Sequence, residues 1–267
     1  MRIRGGAGLG DAIYLRAIAE HFVRAGKSVT VCSDYSDVFL GSGAQTAPFD
    51  RFNIDVLAHY TAGKYRGGTN QWQDICASAG VGDLPLKFSW QVRNQALVNQ
   101  LLEDAGERPL VLVNGGRPPM ARTDGFGAEL LPEKAAFDAV LAAARDCFTV
   151  RVGKGPSLYE IPAVVDMNGG TSVSDILDIG SVAAGLIGQC SFVIPLAEAF
   201  DKPLLVVWSA AGMSSARHPY ISSITPQKVL SKPSSRFVVD DWPRQDLERG
   251  AADWLEAVTA ARPACAS

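Results

Sequence analysis

Between residues 2 and 34 the chain runs "RIRGGAGLGDAIYLRAIAEHFVRAGKSVTVCSD", and few folds accept that order of elements. Residues 1–4 have strand character. The stretch 12–25 puts Ile13, Ala17, Ile18 and Phe22 on one face of a helix, which Gly26 then ends. "SVTVCSD" follows as a β-branched strand closing at Asp34. Strand, glycine turn, helix and strand make the right-handed βαβ unit of a parallel sheet. Counted as G-x-G-x-x-G from Gly6, the turn has Asp11 where its third glycine belongs. A carboxylate there repels a pyrophosphate, so the loop needs another use.

A chain of 267 residues that is 47% hydrophobic can bury one large or two small α/β domains. The formal charge of −3 supplies no global attraction for nucleic acid or an anionic membrane. The five cysteines are scattered without a C-x-x-C pair, which favours neither a disulfide framework nor a zinc site and fits a reducing cytosol. Asp11, Arg16 and Glu20 interrupt the apolar stretch that a signal peptide needs, and no later run is long enough to span a bilayer, so a cytoplasmic location is expected.

The remainder reads as the end of one α/β half and the whole of another. Between residues 42 and 86 the pattern weakens, with "FNIDVLAHY" as a strand and "AGKYRGGTNQW" as a loop. "WQVRNQALVNQLLEDAGE" is an amphipathic helix, broken at residues 107–109. A more regular series follows: the strand "PLVLVNGG", a helix over 132–146, the strands in "CFTVRVGKG" and "IPAVVDMNGG", and a helix at "TSVSDILDIG" with Ser172 and Asp175 as a capping box. Then come the strand "AGLIG", the turn "QCS", a short helix to Phe200, the strand "PLLVVW", and a last amphipathic helix over about 245–261. The expected architecture is α/β, two Rossmann-like parallel-sheet domains facing a central cleft, where the C-terminal strand ends of such sheets bind ligands. Residues 5–11, 114–117, 153–155, 169–172 and 189–191 would line it.

"GQCSFVIPLAEAFDKPLLVVW" resembles the C-terminal signature of the heptosyltransferase-like glycosyltransferases, family nine, with the GT-B fold. Gly188, Leu196, Ala197, Ala199, Lys202 and Pro203 match it, and Gln189 and Ser191 are near-equivalents. "DMNGGTSVSDILDIGSVAAGLIG" and "GLGDAIYLRAIAEHF" resemble two further stretches of that family in the same order. The chain departs from the pattern at Cys190, Phe192 and Pro195, and its first half is short.

The resemblance implies an acceptor-side domain over 1–107, a nucleotide-sugar donor domain over 108–244, and a C-terminal helix and tail over 245–267 packing back toward the first domain. It implies transfer of a sugar from a nucleotide-diphosphate sugar to a hydroxyl of an unidentified acceptor. Asp11 would be the general base, with Gly8 and Gly10 letting backbone and substrate approach closely. Asn114, Gly115, Arg117, Arg122, Lys154, Thr171, Ser172, Gln189, Cys190 and Ser191 would contact the donor, its diphosphate lying over the short helix after Ser191. No cofactor is implied and, since no D-x-D motif occurs, no metal.

Three other readings of these residues stay open. Asp11 can simply occupy the first turn of a helix, where the macrodipole and free N–H groups favour it. With Asp34 ending the second strand, the glycine turn also imitates the fingerprint of an NAD(P)-dependent oxidoreductase. The replacements at Cys190 and Pro195 keep open a transferase-like protein that binds a nucleotide or glycan without catalysis. Cys190 itself reads as a small buried filler, having no neighbouring histidine or second cysteine in sequence.

Overall fold

In the computed structural model, which describes residues 1–50, 52–60, 70–115, 131–153, 161–214 and 225–260, the strands form two separate parallel sheets. The first takes β1 (Arg2–Arg4), β2 (Thr30–Cys32), β3 (Gln45–Ala47) and β4 (Val56–Leu57) in the order β3-β2-β1-β4. Helix α1 (Leu9–Arg24) follows β1 as expected, a 3-10 turn (Ser36–Phe39) joins β2 to β3, and α2 (Gln71–Ser78) follows β4. Strand β3 was not legible in the sequence. Its residues Gln45 and Thr46 are exposed, so it carries no apolar pattern.

The second sheet takes β5 (Leu110–Asn114), β6 (Phe148–Arg151), β7 (Val165–Asp166), β8 (Gly185–Gln189), β9 (Leu204–Trp208) and β10 (Ser235–Val239), in the order β10-β9-β8-β5-β6-β7. Its helices are α3 (Gln95–Ala105), α4 (Lys134–Ala143), α5 (Val173–Val182), α6 (Val193–Ala199), α7 (Ala210–Met213), α8 (Pro226–Val229) and α9 (Arg244–Ala260). Alternate strand residues separate the two faces. Val111, Val113, Ile187, Leu205 and Val207 pack with α4 and α9, while Leu110, Leu112, Leu186, Leu204 and Val206 share a core with α5, α6 and the whole first domain.

Two helices sit elsewhere than the sequence reading put them. Helix α3, grouped there with the first domain, lies against α5 and β5 of the second. Helix α9 buries Leu247, Ala251, Trp254 and Val258 against α4 and the second sheet, rather than returning to the first domain. Burying a side chain such as Leu247 or Val258 is worth about 1.5–3 kcal/mol. The Arg244–Glu248 pair on the same helix is exposed and screened by solvent, so apolar packing decides where α9 docks.

The chain crosses between the sheets through residues 79–94, held at both ends by buried charge. On the first domain, Arg16 and Glu20 of α1 are 1% and 4% exposed and pair at 3.0 Å. The Arg16 guanidinium donates to the carbonyls of Val38, of Leu40 at 3.1 Å and of Ser89 at 2.5 Å, and it lies over the rings of Phe88 and Trp90. On the second domain, the fully buried Asp178 of α5 accepts from Trp90 Nε1 at 2.7 Å and from the N–H groups of Arg93 and Asn94 at 3.0 and 2.7 Å. A carboxylate at the start of α3 satisfies backbone donors that the helix itself leaves unpaired.

Candidate functional site

Each sheet has one place where strand order reverses, and ligands of open α/β sheets bind there, beyond the C-terminal strand ends. In the first sheet β1 leads to β2 and β3 on one side while β4 pairs on the other, so the crevice lies between the loops after β1 and β4. In the second it lies between the ends of β5 and β8. The two crevices meet. A side chain on Gly10 would lie 3.5 Å from Phe192 Cα and 3.6 Å from Pro195 Cγ, so the start of α1 rests on the start of α6 across the domain boundary. What Gly10 admits closely here is the other domain's helix, whereas the expectation concerned a substrate.

Asp11 stands at this junction. Its carboxylate folds back over the glycine turn and accepts from the Gly8 N–H at 3.0 Å. A β-carbon at Gly6 would fall 2.3 Å from Asp11 Oδ2, and one at Gly8 would fall 3.1 Å from it. These glycines therefore make room for a carboxylate rather than a phosphate. Burial pushes the Asp11 proton affinity above the usual carboxylate range, opposed by the Gly8 N–H and by the charge of His59. A carboxyl group tuned upward in a crevice is the environment a general base uses. Asp34, the other half of a dinucleotide fingerprint, accepts from the Phe49 N–H at 3.2 Å at the end of β2. Beside it a shallow depression lined by Ser33, Asp34, Ser36 and Thr46 opens on the same sheet edge.

On the second sheet, Asn114 ends β5 and is spent on positioning. Its Nδ2 donates to the Val152 carbonyl at 2.9 Å, and its Oδ1 accepts from Ser191 Oγ at 3.0 Å, tying the ends of β5 and β6 to the turn before α6. Gly115 is a packing glycine, since a β-carbon would lie 2.6 Å from the Phe137 ring and 2.8 Å from Ile161. Ser172 caps α5, accepting from the Asp175 N–H at 3.0 Å, with the reciprocal Ser172 N–H to Asp175 bond also at 3.0 Å. Thr171 Oγ1, just before the α5 cap, and Gln189 Oε1, at the end of β8, are buried atoms without a hydrogen-bond partner, a need that a polar ligand would meet. Arg117, Arg122 and Lys154 lie outside the described residues.

No family model matches the chain, and no curated protein sequence matches it. Solved structures do. The ADP-heptose lipopolysaccharide heptosyltransferase II of E. coli superposes over 97% of this chain and 98% of its own, at 12% identity and a TM-score of 0.60. The fold is that of the heptosyltransferases. The dodecameric iron-containing heptosyltransferase TibC of enterotoxigenic E. coli, solved with ADP-D-β-D-heptose, shares this heptosyltransferase fold over 97% of the present chain and 76% of its own, at 13% identity and a TM-score of 0.55. A Listeria monocytogenes protein assigned as a UDP-N-acetylglucosamine 2-epimerase matches over 98% and 90%, at 12% identity and a TM-score of 0.51. At these identities the likeness establishes the heptosyltransferase fold alone. Among the described residues no cluster of three or more His, Cys, Asp or Glu side chains could hold a metal ion.

Cys190, which precedes α6, is held neutral: burial pushes its thiol up to about 12. It should resist alkylation by iodoacetamide near neutral pH in the folded protein and react fully after denaturation, with mass spectrometry of the two states as the check. Sequence reasoning missed three groups here. Arg16 and Asp178 look like ordinary helix-surface charges until the linker covers them. His59 looks like a strand-end residue until β4 is seen to pair with β1.

Proposed function

We propose that the protein is a glycosyltransferase that moves a sugar from a nucleotide-diphosphate sugar to an acceptor hydroxyl. Asp11 removes the hydroxyl proton as its oxygen attacks the anomeric carbon, and the carbon–oxygen bond to the diphosphate breaks, its electron pair leaving with the nucleoside diphosphate. The observation that carries this reading is the Asp11 carboxylate, raised in proton affinity, at the junction of the two crevices of a heptosyltransferase fold. The donor lies on the second sheet, against Thr171 and the residues 189–191 that Asn114 positions. Arg117, Arg122 and Lys154 would balance the charge of the departing diphosphate in place of a metal ion. The acceptor lies on the first-domain side, where Ser33, Asp34, Ser36 and Thr46 offer hydroxyls and a carboxylate to a polyhydroxyl molecule.

An NAD(P) site at the first glycine turn conflicts with the Asp11 carboxylate filling that turn. The epimerase likeness supports a second reading, in which the same nucleotide sugar is bound and inverted at its C2 carbon. Thermal shift separates the nucleotide classes: ADP, UDP or their sugar conjugates at about 100 times Kd should stabilise the fold by about 2.7 kcal/mol. A rise in Tm with NAD(P) alone would remove the transferase. Analysis of the released sugar separates transfer or hydrolysis from epimerisation.

A further inference from the structure

We propose that His59 is the proton outlet of Asp11: a positioning residue that receives the proton Asp11 takes from the acceptor and passes it to solvent. The proposal rests on the general-base reading of Asp11. The backbone places His59 at the crevice independently of that reading. Pairing of β4 with β1 runs past the end of the strand, since the Ala58 N–H donates to the Arg4 carbonyl at 2.8 Å. A β-carbon on Gly5 would lie 3.4 Å from the Ala58 carbonyl, which sets the residues after β4 directly beside the glycine turn over which Asp11 folds. The His59 N–H donates to Ser78 Oγ at 2.9 Å, and that hydroxyl donates to the Ile75 carbonyl at 2.9 Å, so the end of α2 fixes the His59 backbone. The ring stacks on Tyr60 with centroids 4.6 Å apart and 13° between planes, which fixes its plane as well.

An imidazole so held has a use only if something acts on it, and the neighbouring ionisable group across the turn is Asp11. Burial favours neutral Asp11, while the Gly8 N–H and the charge of His59 favour the carboxylate. After transfer, Asp11 is a carboxylic acid in a site where burial resists its ionisation. It must lose that proton before another turnover. His59 is partly exposed, so a ring nitrogen can take the proton from Asp11 and release it to water, restoring the carboxylate. The proton from the acceptor hydroxyl thus passes to Asp11, to His59 and to solvent, and no further reactant is needed. A strand-end histidine could instead serve only by stacking on Tyr60, and two substitutions distinguish the uses.

His59→Phe keeps the stack and loses both ring nitrogens, whereas His59→Gln keeps a polar side chain and loses the charge. The experiment follows the carboxyl 13C signal of Asp11 against pH, and nucleoside diphosphate release from ADP-sugar and UDP-sugar, in wild type, both His59 variants and Asp11→Asn. Both His59 variants should move the Asp11 titration to higher pH, shift the acid limb of kcat/KM the same way, and lower kcat by about tenfold, less than the 10²-fold or more that loss of the base itself costs. An unchanged Asp11 titration and pH profile in a folded His59→Phe would overturn the outlet while leaving the base in place. Full activity in Asp11→Asn would overturn the base and the outlet with it. If wild type turns over neither donor, the 13C titration alone decides: an upward move supports the Asp11–His59 pair, and none overturns it.

Discussion

Asp11→Asn should lower nucleoside diphosphate release from the nucleotide-sugar donor by about 10²-fold or more, the range a general base supplies, while leaving the folded structure and donor binding intact. Asparagine keeps the size of the side chain and can still accept from the Gly8 N–H, so the start of α1 keeps its cap. It cannot take a proton. Stability should move the other way from activity. The folded protein binds the Asp11 proton more tightly than the unfolded chain does, so this group's contribution is fully present at low pH and is lost as pH rises through the folded-state value. At neutral pH the partly desolvated carboxylate is thus a liability, and the variant should melt no lower than wild type. The acid limb of the wild-type rate profile should lie above the ordinary carboxylate range for the same reason. A variant that keeps both the wild-type melting temperature and the wild-type release rate would instead make Asp11 a structural helix-start residue.

Arg16→Ala should be the most destabilising substitution away from the crevice, costing about 3–5 kcal/mol in denaturant unfolding. The change leaves buried Glu20 with only the exposed Arg24 at 3.8 Å and the Ser89 N–H at 3.3 Å, and it strips a donor from the carbonyls of Val38, Leu40 and Ser89. Replacing the whole pair, Arg16→Met with Glu20→Leu, removes the orphaned charge. It should recover only part of the loss, because each buried carbonyl left without a donor still costs about 1–3 kcal/mol. Full recovery in the double variant would mean that the pair holds its own charges only, and that the crossing at residues 79–94 is anchored by apolar contacts. Since Arg16 grips both the 3-10 turn and the linker, its loss should also loosen the docking of α1 on α6, read as faster hydrogen exchange at both.

The second domain was legible because its strands are long and apolar. Leu110 to Asn114 and Leu204 to Trp208 are buried at every position, and such runs between glycine and proline punctuation have one reading. The first domain was legible at its βαβ start and at β4, which lies within the strand read at "FNIDVLAHY". Strand β3 has three residues and exposes two of them, so neither alternation nor an apolar run marks it. The docking of α3 and α9 depends on which apolar faces meet in space, and a sequence gives the faces without their partners. Among the site residues, Asp11 stood out because it breaks a glycine motif, a local signal. Asn114 and Ser191 were found by their strand-end positions, but their mutual bond spans 77 residues and had no sequence trace. His59 was invisible for the same reason, as its relation to Asp11 exists only through the pairing of β4 with β1.

Sugar transfer by this fold with Asp11 as base is tested most directly by chromatographic analysis of products from an ADP-sugar and a UDP-sugar incubated with wild type and with Asp11→Asn. Water stands in for the acceptor hydroxyl, and EDTA is present throughout. The expected result is nucleoside diphosphate and free sugar in equal amounts from wild type, with the yield down by about 10²-fold or more in the variant. Nucleoside diphosphate released equally by both proteins, or an intact nucleotide sugar inverted at C2, would contradict it.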